Sequence, residues 1–265
     1  MLVTAPEILF FWVARMIFAG IHFMGKPPFH TVYLHGTVRD TQHRKMSKSL
    51  GNGIDPLDVV QRYGADALRF TVTNGLAVGT DIILDNNDLE TSFASGRNFA
   101  NKLWNIGRLV LGNLEGAAQR HSGTAAQIRD SELQTVDRWI LSRLQRTIGE
   151  TTAHLEKFRL NDAAGAPYHF LWDDFADWYL EAIKPRLYGE EPGAATARAV
   201  AAHCFDTVLR LLHPVMPFIT EYLWQQLPGN AGRNIAVAPW PRAETAAVSA
   251  VDESAFAPSQ DAIGA

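Results

Sequence analysis

A chain of 265 residues with 47% apolar residues is long enough for one or two packed domains and too hydrophobic to stay disordered. Its net charge of -4 argues against a uniformly basic nucleic-acid coat, and a single cysteine, Cys204, excludes an internal disulfide framework and a CxxC zinc site. Cys204 is expected as a buried structural thiol. In chain order, Ile8 to Gly25 reads as an apolar helix; Arg15 and His22 interrupt it and no small-residue cleavage pattern follows. It is expected to pack in a core and not to serve as a signal or membrane segment. Thr31-Val32-Tyr33-Leu34 reads as a short strand, and Asp55 followed by Pro56 reads as a helix cap and first helical residue. With Asp81-Ile82-Ile83-Leu84 as its last strand, the segment up to about residue 85 suits the second half of a doubly wound α/β domain.

From about 88 to 112, Phe93, Phe99, Leu103, Ile106 and Val110 recur at helical spacing. Glu115 to Asp130 is rich in small and polar residues and reads as a connection. Long amphipathic helices are expected near 134–157, 161–188, 194–213 and 217–227, with Pro192-Gly193, Pro214 and Pro217 as breaks, which is the pattern of a helical bundle. Glu244, Asp252, Glu253 and Asp261 carry the whole net charge, with no Lys or Arg from 244 to 265. The rest is neutral but uneven. Arg97, Lys102 and Arg108 stand in an acid-free stretch from 91 to 114; Arg138, Arg143, Arg146, Lys157 and Arg159 outnumber Glu150 and Glu156. Each stretch is either a phosphate-binding patch or a solvated helix face.

The run Lys45-Met46-Ser47-Lys48-Ser49 interleaves two mobile cations with two hydroxyls. Arg39, His43 and Arg44 precede it and Gly51-Asn52-Gly53 follows, so backbone and ammonium groups can both approach phosphate oxygens. A bare run of this kind is most often a solvated turn; its place between a strand and a capped helix is what favours a site. The run resembles the KMSKS signature of class I aminoacyl-tRNA synthetases. Leu50-Gly51-Asn52, Asp55-Pro56 and Tyr63-Gly64-Ala65-Asp66-Ala67-Leu68-Arg69-Phe70 continue as in the subgroup for branched aliphatic amino acids. Phe10-Phe11-Trp12-Val13-Ala14-Arg15-Met16, Arg97 to Asn105, Phe170 to Tyr179 and His213 to Glu221 resemble further segments of the valine-specific members. The resemblance runs from residue 2 to about 242.

It implies an α/β fold class, the second half of a Rossmann-type catalytic domain, followed by an α-helical bundle that binds the anticodon. The expected division is 1–87 for the catalytic part, 88–130 for a connecting helix and linker, 131–242 for the helical domain and 243–265 for an acidic tail. The family's HIGH signature and editing domain have no counterpart here, so the chain is expected to be an internal piece that does not aminoacylate alone. The implied reaction is activation of L-valine by ATP, with Mg²⁺ accompanying the nucleotide, and transfer to tRNA(Val), by a cytoplasmic monomer that holds no metal of its own. Lys48 and Lys45 are the expected catalytic residues. Lys45, Ser47, Lys48, Ser49 and Glu7 would bind ATP, Trp12 would wall the amino-acid pocket, and Arg97, Asn101, Lys102 and Asn105 would face tRNA.

Each role has a plainer counterpart. Glu7 fits an exposed helix-start acid, Trp12 fits core, and Asn101 and Asn105 fit local backbone partners. The cluster Trp172, Asp173, Trp178 and Tyr179 is read as core packing, because Leu171, Phe175 and Trp178 recur at helical spacing. Two departures from the family pattern stand out: Ala5-Pro6-Glu7 where a glycine is usual, and Gln42-His43 where a glycine precedes the signature. A stand-alone tRNA-binding protein without catalysis and a synthetase for isoleucine or leucine remain as alternatives.

Overall fold

The computed structural model describes residues 1–114, 130–188, 193–244 and 247–256. The expected connection from Glu115 and the end of the tail, with Asp261, lie outside the described residues. Two short parallel strand pairs open the fold: β1 (Leu2–Thr4) with β2 (Val32–Leu34), and β3 (Val38–Arg39) with β4 (Ile82–Ile83). Between them the chain runs through a 3-10 turn (Pro6–Ile8), a π turn (Leu9–Val13) and α1 (Ala14–Met24), then later α2 (Pro56–Tyr63) and α3 (Ala65–Gly75). Asp55 accepts from the Leu57 amide at 2.9 Å and Pro56 begins α2, as the sequence predicts.

The apolar N-terminal helix is the first correction. Val13 is its only buried residue from Leu9 to Met24, while Phe10, Phe18 and Phe23 are 73–80% exposed. Hydrophobic periodicity states that a helix needs cover; it does not state that the described residues supply it. By length and composition alone Pro6–Met24 could cross a membrane, a test that core helices and signal sequences also pass.

The helical part begins with α4 (Leu89–Leu114), whose Phe93, Phe99, Leu103, Ile106 and Val110 are all buried. Gly96 lets α4 lie directly on α3: an added Cβ would sit 2.2 Å from the Ala67 carbonyl oxygen. Next come α5 (Thr135–Glu156), α6 (Leu160–His169), a π-helical stretch (Phe170–Leu180), α7 (Glu181–Tyr188), α8 (Ala194–Leu212) and α9 (Pro217–Gln225). The segment expected as one helix over 161–188 is thus continuous but shifts its hydrogen-bond register just after Pro167, which has no amide hydrogen to give the α ladder.

Two apolar cores result. The larger joins α3 to α9 and includes Cys204, fully buried and unpaired, whose thiol pKa burial pushes far up. The smaller gathers Val59, Ile82, Leu84 and Phe93, with Met46 and Ile54 packed against it. Polar contacts lock the first segment to the second: Asp66 of α3 accepts from the Ile219 amide at 2.6 Å, and Arg69 donates to the carbonyls of Pro214 and Val215, each at 2.9 Å. Burial raises the Asp66 pKa despite those amides.

The basic stretch 138–159 is a second correction. Arg143 donates to Asp174 at 2.8 Å, and Arg146 donates to Glu253 at 3.0 Å. Glu253 also accepts from the Ser142 hydroxyl at 2.7 Å, and Phe256 stacks on Trp139 at 4.4 Å. Those arginines serve to hold the helix at 250–256, so that part of the expected acidic tail is docked and not free.

Candidate nucleotide and tRNA site

The Lys45 to Ser49 loop grows out of a hairpin. After β3 the chain reverses, with the Asp40 amide donating to the Arg44 carbonyl at 2.9 Å and the Met46 amide to the Val38 carbonyl at 3.1 Å. The turn needs one left-handed residue, and His43 takes it at φ 61°. Glycine adopts this conformation freely, whereas a side chain pays for it. Arg39 closes the outer edge, donating to Asp81 and, at 3.0 Å, to the His43 carbonyl. The Thr37 amide and hydroxyl and the Arg39 side chain hold the Asp81 carboxyl well below the usual range.

Asp40 and Asn52 fix the loop from below. Asp40, 2% exposed, accepts from the amides of Gln42 (3.0 Å) and Arg44 (2.9 Å), from Arg44 Nε (2.8 Å) and from Asn52 Nδ2 (2.8 Å). The Asn52 donor, then Arg44 and the two amides, hold its carboxyl well below the ordinary carboxylate range. Asn52, 4% exposed, also donates to the Lys45 carbonyl at 3.4 Å and accepts from the Ser47 amide at 2.9 Å. One buried amide therefore grips both ends of the Lys45-Met46-Ser47 turn. Neither Asp40 nor Asn52 was among the expected site residues; a hydrophilic pair twelve positions apart gives no sign in sequence that its side chains meet.

Above this base the functional groups stand in solvent. Ser47 Oγ lies 3.2 Å from Ser49 Oγ and accepts from the Leu50 amide at 3.3 Å, which shapes the turn at Gly51, φ 63°. Lys48 is exposed and makes no hydrogen bond or ion pair among the described residues. Lys45 reaches Glu7 Oε1 at 2.7 Å, and this hydrogen bond lowers the Glu7 pKa. Glu7 and the loop are thereby brought together. Trp12 is 57% exposed, so the core reading of that residue fails.

The four expected tRNA residues divide. Arg97 pairs with Glu90, and Lys102 donates to Asp177 at 2.8 Å while lying 4.8 Å over the Trp172 ring. Those cations are partly spent inside the fold. Asn101 and Asn105 are exposed and make no hydrogen bond among the described residues. Core packing holds for the Trp172 cluster: Leu171, Phe175 and Tyr179 are fully buried and Trp172 and Trp178 pack against the core. No group of three or more His, Cys, Asp or Glu suited to a metal exists among the described residues.

Residues 1–85 match the family model described as tRNA synthetases class I (I, L, M and V), and residues 137–264 match the anticodon-binding domain of tRNA ligase. Valine-tRNA ligase of Carboxydothermus hydrogenoformans is 51% identical over 91% of this chain and 26% of its own length. Valine-tRNA ligase of Enterococcus faecalis is 47% identical over the same shares. The chain thus spans about a quarter of the length of these relatives. Among solved structures, a LeuRS of Agrobacterium radiobacter K84 in a ternary complex with tRNA and LeuAMS superposes with a TM-score of 0.73 at 27% identity, covering 93% of this chain and 29% of that one. A Mycobacterium tuberculosis methionyl-tRNA synthetase shares the fold at a TM-score of 0.64 and 20% identity, over 88% of this chain and 46% of that one. With a KMSKS loop, a class I match before α4 and an anticodon-binding match after it, the chain belongs to the class I aminoacyl-tRNA synthetases.

Proposed function

We propose that the chain carries the triphosphate-holding loop and the tRNA-facing helices of a valine-tRNA ligase. In the reaction, a carboxylate oxygen of valine attacks the α-phosphorus of ATP, the bond to the bridging β-oxygen breaks, and pyrophosphate leaves with its Mg²⁺. A terminal ribose hydroxyl of tRNA(Val) then attacks the valyl carbonyl of the adenylate, forming the ester as the acyl–phosphate bond breaks and AMP leaves. The observation that carries the reading is the contrast within one loop: its backbone is locked by Asp40 and Asn52, while the Lys48 ammonium has no protein partner among the described residues. A fixed backbone with an uncommitted cation is preorganised for charge that develops on a leaving group.

Lys48 and Lys45 neutralise the β- and γ-phosphates, and Ser47 and Ser49 donate to their oxygens. Glu7 accepts from a ribose hydroxyl once Lys45 turns to phosphate, and the exposed Trp12 forms one wall for the valine side chain. Arg97, Asn101 and Asn105 face tRNA, with Lys102 holding α4 against the π-helical stretch. We assign the working protein to the cytoplasm as a monomer. Identities of 46–51% to valine-tRNA ligases favour valine over leucine or isoleucine.

Calorimetric titration of the chain with magnesium pyrophosphate tests the loop. Lys48→Ala should weaken binding by roughly 10- to 150-fold, the loss of one charge-assisted contact. Unchanged affinity would remove the loop from phosphate binding. Valine-dependent pyrophosphate exchange by this chain alone should stay at background.

A further inference from the structure

Tyr63 at the end of α2, Trp104 of α4, and Phe218 and Tyr222 of α9 surround a hollow of about 370 Å³ that is also lined by Asp66, near the start of α3. Three of its rings are open to solvent: Trp104 is 39%, Tyr222 56% and Phe218 66% exposed. Phe218 and Tyr222 stand one turn apart on the same face of α9, and the Tyr222 and Trp104 centroids lie 5.5 Å apart. Asp66 is the one charged residue in the lining. It is 7% exposed and accepts from the Ile219 amide at 2.6 Å and the Phe218 amide at 3.3 Å. It forms no ion pair among the described residues, and Arg69, three positions on, is committed to the carbonyls of Pro214 and Val215. The two amides do not offset its burial, which raises its pKa.

We propose that this hollow binds an alkylated ammonium group, held against the rings of Trp104, Phe218 and Tyr222 with its charge toward Asp66. The faces of aromatic rings attract a cation, most strongly where water is displaced, and a buried carboxylate without a counter-ion adds its own attraction. A neutral apolar group would fill the same space but leave Asp66 unpaired, and an anion would be repelled by it. A guanidinium gains most from a fork of hydrogen bonds. A carboxylate that is 7% exposed and already accepts an amide at each oxygen offers charge more than free lone pairs, which favours the ammonium. A small free amine and the lysine side chain of another protein both carry that chemistry. The site makes no use of the Lys45 to Ser49 loop, so it is independent of the proposed function.

The experiment is an NMR titration of the full chain, read at the Trp104 indole N–H, a resonance identified by its absence from Trp104→Phe. Tetramethylammonium should shift it saturably. Neopentyl alcohol has the same branched shape without the charge and should bind about 10-fold more weakly or worse. Phe218→Leu and Tyr222→Leu should each weaken tetramethylammonium binding by roughly 2- to 30-fold, the range for one cation–π contact, whereas Tyr222→Phe keeps the ring and should keep the affinity. Asp66→Asn should weaken it too. Because Asp66 also joins α3 to α9, that variant is read beside its thermal unfolding; the neutral ligand and the ring variants leave the join intact and decide without it. Butylammonium and a lysine tripeptide blocked at both ends separate the two sources. Equal affinities assign the site to a free amine, and a gain of about 10-fold for the tripeptide assigns it to a protein lysine. Equal binding of neopentyl alcohol and tetramethylammonium, or binding that ignores both Phe218 and Tyr222, would overturn the site. No saturable shift with tetramethylammonium, while pyrophosphate still binds, would overturn it and leave the proposed function standing.

Discussion

The ammonium of Lys45 and the carboxylate of Glu7 meet at 2.7 Å, tying the Lys45 to Ser49 loop to the 3-10 turn that precedes the N-terminal helix. Both side chains are about half exposed, 52% and 46%, so water screens the pair and it adds little to stability. Under the proposed function its larger effect is on ligands, because a triphosphate would have to draw Lys45 away from Glu7. Glu7→Gln should therefore tighten inorganic tripolyphosphate binding by roughly 1.4- to 5-fold at low salt. If Glu7 also accepts a ribose hydroxyl, the gain for ATP will be smaller than for tripolyphosphate. Calorimetry with both ligands on one variant separates the two roles.

Asp40 and Asn52 are predicted to act as a unit. Removing the amide in Asn52→Ala takes one donor from a buried carboxylate and the acceptor from the Ser47 amide, a loss of about 1–3 kcal/mol. Asn52→Asp should cost more, since two carboxylates then face each other 12 positions apart in sequence. The exchange Asp40→Asn with Asn52→Asp should recover part of that cost. Thermal unfolding of the parent chain, Asp40→Asn, Asn52→Asp and the double exchange closes the cycle, and strict additivity would show that the pair does not interact.

The same pair sets a pH dependence. Donation by Asn52, then by Arg44, depresses the folded Asp40 pKa below its unfolded value of about 3.9. The ionised group binds protons less readily in the folded state, so its stabilisation is complete above that unfolded value and fades as pH falls through the folded one. The Gln42 and Arg44 amides, which Asp40 holds, should keep their exchange protection through pH 4 or so. In Asn52→Ala the folded value rises, and protection should be lost at higher pH. Identical profiles for the two proteins would contradict this.

The elements legible in the sequence were those fixed by near neighbours. The Asp55 cap, the Pro56 start and the buried stripe of α4 all follow from contacts within a few residues along the chain. The Lys45 to Ser49 loop was legible as a set of exposed groups, but its foundation was not: Asp40 meets Asn52 only because a hairpin turns at His43. The basic stretch 138–159 misled for a related reason. Arg143 and Arg146 find their acids 31 and 107 positions away, and no local pattern announces partners at that distance. Trp104 went unmarked because a tryptophan in an amphipathic helix ordinarily reads as core, whereas its position beside Tyr222 depends on how α9 crosses α4.

His43 holds a left-handed conformation that glycine adopts without strain. The strain of a side chain there exceeds the extra backbone entropy that glycine loses on folding, so His43→Gly should stabilise the protein by about 0.5–1 kcal/mol. The Lys45 to Ser49 loop should keep its affinity for pyrophosphate, because His43 contributes only backbone groups, its amide to the Asp40 carbonyl at 2.9 Å and its carbonyl to Arg39. A stability loss on this substitution would mean that the imidazole has a partner of its own.

Beneath the helical part, Asp137 and Arg186 form an ion pair at 2.9 Å with side chains 0% and 7% exposed. Asp137 also accepts from the Tyr179 hydroxyl at 2.8 Å and the Gln134 amide at 2.9 Å, and Arg186 donates to the Gly193 carbonyl at 2.9 Å. The pair thus binds α5, the π-helical stretch, α7 and the start of α8 at one point. Leaving either charge alone in this environment should cost about 3–5 kcal/mol, so Asp137→Ala and Arg186→Met should each lower the urea midpoint sharply. Replacing both with apolar residues of similar volume, Asp137→Leu with Arg186→Met, removes the orphaned charge and should recover much of the loss. The Tyr179 hydroxyl and the Gln134 amide lose their acceptor in that protein, which is why recovery should stop short of the starting stability. A double variant less stable than either single one would show that the hydrogen-bonded ends of these helices, and not the ion pair, govern the fold here.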